Sequence, residues 1–227
     1  MLLLNGCSYG AVWGTSLSVL AKKLNIENYF NLSLPGSSND RIFTSTIEYI
    51  LTRPVDFAII STTFCNRQSA PWNPKIESYN RHWVSYSPVG IKNLRYANLN
   101  DQYIKYIEDR YKFDVNHKYM DMFFHDVICL SGFLTSRNIR HVIYSAPGDE
   151  FLTSPSLKNH ISESKLKCIQ ENKNLINLDT WSSNLFLHEA GSTSPDVDVS
   201  PSCKHYHGNE NLPLVEYLYN YIQQNNI

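Results

Sequence analysis

Residues 1–14 read MLLLNGCSYGAVWG: an apolar run, a small polar turn over residues 5–10, then the start of an amphipathic stretch. An apolar run bounded by glycine reads as a buried strand. From residue 11, AVWGTSLSVLAKKL places Val12, Leu17, Leu20 and Leu24 on one face of a helix. A strand feeding directly into a helix is the opening of a βα unit, and the polar turn between them has two readings. It is a plain strand-to-helix turn with Ser8 as a helix N-cap, or it holds a nucleophile at the carboxyl end of the first strand.

The same rhythm recurs along the chain. YFNLSLPG (29–36) is a second short strand, and SSNDRIFTSTIEYIL (37–51) opens on serines and continues with helical spacing at Ile42, Ile47 and Ile50. VDFAIISTT (55–63) is apolar enough to be buried on both faces, as a central parallel strand is. MDMFFHDVICLSGFLTSR (120–137) is a helix, NIRHVIYSAPG (138–148) a fourth strand and NLINL (174–178) a fifth. A closing amphipathic helix ends the chain, with Pro213 suited to its first turn. Strands alternating with helices predict a doubly wound, mostly parallel five-stranded sheet. Between residues 68 and 118 the rhythm breaks down among Trp72, Tyr79, Trp83, Tyr86, Tyr96, Tyr103, Tyr106 and Tyr111. That stretch reads as an insertion in one domain spanning 1–227, leaving the third strand at the edge where open α/β sheets bind ligands. An aromatic cap remote from substrate and a lid that stacks on a sugar fit it equally.

With 227 residues the chain builds one sizeable core, and its net charge of −1 argues against a nucleic-acid footprint. No apolar stretch is long enough for a bilayer, and the four-residue apolar start lacks a charged leader, which predicts a cytoplasmic protein with no membrane partner. Cys7, Cys65, Cys129, Cys168 and Cys203 are odd in number with no CxxC pair, favouring reduced thiols. Cys203, His205 and His207 lack the spacing of zinc modules, so no metal site is expected.

In the doubly wound reading Ser8, Gly36 with Asn39, Asn66 with Arg67, and His205 all follow strands on one edge of the sheet. Acyl transfer needs a nucleophile, a base in reach of it and donors for the developing oxyanion. These turns contain such groups in the order of the four motifs of the SGNH/GDSL hydrolase superfamily, which the chain resembles over residues 1–67 and 200–224. Gly6-Cys7-Ser8 stands where that family has Gly-Asp-Ser, and NLSLPGSSNDRI matches its second motif at Gly36. STTFCNR keeps the asparagine of the third motif at Asn66. SPSCKHYHGNENLPLVEYL matches the fourth at His205, with Ser202 where the family has an aspartate.

The resemblance implies a three-layer α/β/α fold and a metal- and cofactor-free serine hydrolase acting on esters or related acyl groups of small molecules, and the aromatic insertion favours carbohydrate esters among them. Ser8 is then the nucleophile, His205 the base, and Gly36 and Asn66 oxyanion donors. Asn39 and Arg67 join them as oxyanion or substrate-binding residues. Asp196, Asp198 or a backbone carbonyl is left to orient the imidazole, and Asp198 is the expected partner. His205 is preferred to His207 because its spacing to Asn211 suits the opening of the last helix. Cys7, one residue from Ser8, is expected in the core. Arg67 has two readings, a pair with Asp40 or a clamp on a substrate carboxylate. Two alternative functions share these residues: a catalytically degenerate module that binds a glycan or protein, and an O-acyltransferase.

Overall fold

The computed structural model describes residues 1–11, 13–63, 67–71, 83–86, 101–113, 116–145, 161–176 and 212–227. The apolar opening forms β1 (Leu2–Gly6), which passes through Cys7 into a short helix α1 (Ser8–Ala11) and then α2 (Thr15–Lys23). The single helix expected from residue 11 is in fact broken: Gly14 adopts φ 47°, and Trp13 beside it is fully buried. β2 (Tyr29–Asn31), α3 (Asn39–Thr52) and β3 (Phe57–Thr62) follow. Then come β4 (Gln68–Pro71), β5 (Trp83–Tyr86), α4 (Asp101–Phe113) and α5 (Asn116–Ser136). The chain closes with β6 (Arg140–Ser145), α6 (Glu163–Glu171), β7 (Leu175–Ile176) and α7 (Leu212–Asn225).

Five strands pair in parallel in the order β2-β1-β3-β6-β7. Leu3 sits beside Phe30 on one side and Ala58 on the other, and Ile59 faces Val142. Alternate side chains of a strand point to opposite faces, and two cores result. Leu3, Ala58, Ile60 and Ile143 pack against α3, α5 and α6 through residues such as Ile42, Phe124, Val127 and Ile169. Leu2, Leu4, Phe57, Ile59 and Val142 pack against α2 and α7 through Leu17, Leu20, Val215 and Leu218. The three-layer α/β/α sandwich is therefore the observed architecture, and β3 is buried along its whole length, as its composition predicts.

Four elements were not legible beforehand. Helix α4 lies inside the stretch expected to lack regular rhythm, with Ile104 and Ile107 buried; β4 and β5 pair antiparallel in a sheet of their own. Helix α6 is short and polar, held at its start by Ser162, whose Oγ accepts from the Lys165 amide. No described helix is long and apolar enough to cross a membrane.

Candidate active site

The central strands β1 and β3 are apolar until their carboxyl ends. There the buried residues turn polar: Asn5, Ser61, Thr62, Thr63 and Ser145, joined by Ser33, Ser37, Ser38, Asn39 and Arg41 from the turn after β2. β2 and β3 lie on opposite sides of β1, so consecutive βα units leave the sheet in opposite directions between β1 and β3. In open α/β sheets the crevice at that reversal, outside the carboxyl ends, is where ligands bind.

The first turn is closely fitted. A β-carbon at Gly6 would lie 2.7 Å from Ser61 Cβ and 2.8 Å from the Ser61 carbonyl oxygen. Cys7 is buried in the core, as expected, and its carbonyl accepts from the Ala11 amide at 3.0 Å, closing the first turn of α1. Ser8 is thereby the first residue of α1, directly past the end of β1. The Tyr144 hydroxyl, on β6, faces Ser61 and Trp13 near Cys7, and burial pushes its pKa up. Asn5 anchors the neighbouring layer: its Nδ2 lies 2.9 Å from the Ile42 carbonyl, 2.9 Å from Ser45 Oγ and 2.8 Å from Thr46 Oγ1.

The second turn is drawn onto the first. The Leu34 amide donates to the Gly6 carbonyl at 3.1 Å, and Asn31 Nδ2 donates to the Gly10 carbonyl at 2.9 Å. Gly36 takes φ 80°, a left-handed conformation that glycine enters without a Cβ penalty. Ser37 donates through both its amide and its hydroxyl to the Leu34 carbonyl and accepts from Arg41 Nη1 at 2.9 Å. Burial pushes the Arg41 pKa down, with neighbouring Asp40 acting the other way. Ser38 is the N-cap residue of α3, as the sequence suggested, with its hydroxyl bonded to the Asp40 carboxylate.

The third turn is tied to the second by Asn39, which is 6% exposed. Its Nδ2 donates to the Thr63 carbonyl at 2.9 Å, and its Oδ1 accepts from the Thr63 amide at 2.8 Å. Arg67 Nη1 donates to Thr63 Oγ1 at 3.1 Å. The turns carrying Ser8, Gly36 with Asn39, and Arg67 thus converge on one sheet edge. Asn66, Asp198 and His205 lie outside the described residues. The roles of Asn5, Thr63 and Arg41 were missed in the sequence; for Asn5 and Thr63 the signal was there, in polar residues closing otherwise apolar segments, whereas Arg41 lies on α3 and left no such signal.

The chain has the fold of SGNH/GDSL-type esterases. A structure of the psychrotrophic esterase EstA from Pseudoalteromonas sp., inhibited by monoethylphosphonate, is similar to it with a TM-score of 0.50 and 10% identity. That match covers 98% of this chain and 96% of the other. The structure of TesA matches with a TM-score of 0.49 and 9% identity over the same shares. No family model matches the sequence, and no curated protein is significantly similar to it.

Proposed function

We propose that the protein is a serine hydrolase of acyl esters. Ser8 Oγ attacks the ester carbonyl carbon while His205 takes its proton. The amides of Ser8 and Gly36 and the side chain of Asn66 donate to the oxyanion that forms. As the tetrahedral adduct collapses, the ester C–O bond breaks and His205 gives its proton to the departing alcohol. Water then attacks the acyl-enzyme by the same steps in reverse, releasing the acid and restoring Ser8. Asp198 orients the far nitrogen of His205. Carbohydrate O-acyl esters are the proposed substrates, with the aromatic residues of 68–118 as a cap that stacks on the sugar and Arg67 at the crevice rim.

The observation that carries the reading is the convergence of the turns that follow β1, β2 and β3 beside the reversal between β1 and β3, with Ser8 opening α1 there. Hydrolysis of a short-chain aryl ester by the Ser8→Ala variant tests it: turnover falls to background, and unchanged turnover refutes the assignment. Ser202, in place of an aspartate, favours a second reading as a non-catalytic glycan-binding module, for which the wild-type chain itself shows no turnover.

A further inference from the structure

We infer that Asn39 is a positioning residue that fixes the separation of the two oxyanion donors outside the first turn. The inference rests on the serine-hydrolase reading above. Asn39 stands three residues after Gly36, and Thr63 stands three residues before Asn66. The paired bonds between the Asn39 amide and the Thr63 backbone therefore tie the Gly36-bearing turn to the end of β3, three positions ahead of Asn66 in the sequence. Three residues of chain reach at most about 10 Å, which keeps Gly36 near that joint.

Each turn also carries its own strap. Arg41 reaches back to Ser37 beside Gly36, and Arg67 reaches back to Thr63 across residues 64–66. Catalysis by oxyanion donors depends on their being held where charge develops, before it develops. A joint at this place supplies that constraint without touching substrate.

The chemistry of the joint demands an amide. It must donate to the Thr63 carbonyl and accept from the Thr63 amide at once, and asparagine carries both functions. A helix-capping role alone would be met as well by aspartate, which is an equally good cap. In Asn39→Asp an ionised carboxylate would face the Thr63 carbonyl, two acceptors together. Only the protonated carboxyl restores the donor. The joint re-forms only as that carboxyl takes up a proton at lower pH.

The test uses the full-length chain with Asn39→Ala and Asn39→Asp, a fluorophosphonate probe and a short-chain aryl ester, with thermal melting measured alongside. Asn39→Ala is expected to lower the labelling rate and kcat by about 10- to 100-fold, with KM within about twofold of wild type. For Asn39→Asp, the labelling rate relative to wild type is low at pH 8 and climbs as pH is lowered toward 5. The ratio to wild type removes the titration of His205, and protonated Asn39→Asp remains a folded comparator if Asn39→Ala melts early. Wild-type rates in both variants, a rise in KM with kcat unchanged, or an Asn39→Asp ratio that stays flat with pH each overturn the inference. A wild-type chain that never labels removes the proposed function and this inference with it, whereas labelling wild type beside unaffected variants removes the inference alone.

Discussion

At Gly6 and Gly36 the same substitution is opposed by different physical causes. A methyl group at residue 6 meets Ser61 Cβ and backbone at under 3 Å, so strand β1 or β3 has to shift. Gly6→Ala is expected to destabilise the protein by about 1–3 kcal/mol, the usual cost of forcing extra atoms into a packed core; its urea midpoint measures this. At residue 36 nothing lies within 4 Å of an added β-carbon, and only the left-handed φ of 80° opposes it. Gly36→Ala should cost about 1–2 kcal/mol, the penalty for holding an L-residue there. An unchanged urea midpoint in either variant would contradict this account of the turns. Residues of this kind differ in legibility. Ser8 and Gly36 stood out because a polar or glycine residue directly follows an apolar run. The clamp of Asn39 did not, because its partner is the backbone of a residue 24 positions away, which no local spacing reveals.

Among the elements, α3 is held on the sheet by one buried polar side chain in addition to its apolar face. Asn5 leaves the apolar pattern of β1 and meets Ile42, Ser45 and Thr46 of that helix. Asn5→Ala strands these buried acceptors and should cost about 1–3 kcal/mol, read as a lowered urea midpoint. A second tie joins β6, α5 and the end of α6. His141 Nδ1 donates to the Ile139 carbonyl at 3.0 Å, so Nε2 accepts from Ser131 Oγ at 2.8 Å, and Asn172 Nδ2 donates to that oxygen at 3.1 Å. Burial holds the His141 pKa below the usual imidazole value, outweighing the Ile139 bond that raises it. The folded chain thus keeps this ring neutral where the unfolded chain protonates it, near pH 6.5. Its contribution is complete above that pH and is lost as pH falls through the lower folded value. His141→Gln should flatten stability between pH 7 and 5 relative to wild type, and an unchanged slope would refute the assignment. The long apolar elements were legible for the reason that they bury a continuous face. Helix α6 was not, because Ile169 is its one buried side chain; among the described side chains of α4, the pair Ile104 and Ile107 marks the buried face.

Across the whole molecule, chemistry is concentrated by topology. Parallel pairing brings every strand's carboxyl end to one edge, and the reversal about β1 opens a crevice there. The alternation of strands and helices made that edge readable from sequence, and with it the grouping of Ser8, Gly36 and Arg67. The account's central claim is that Ser8 is a nucleophile in that crevice, and a phosphonate reagent reports on it directly. The wild-type chain is treated with a fluorophosphonate and the adduct located by peptide mass spectrometry. Stoichiometric modification at Ser8, lost in His205→Ala, is the predicted result; an unmodified Ser8 in folded wild-type protein would contradict it.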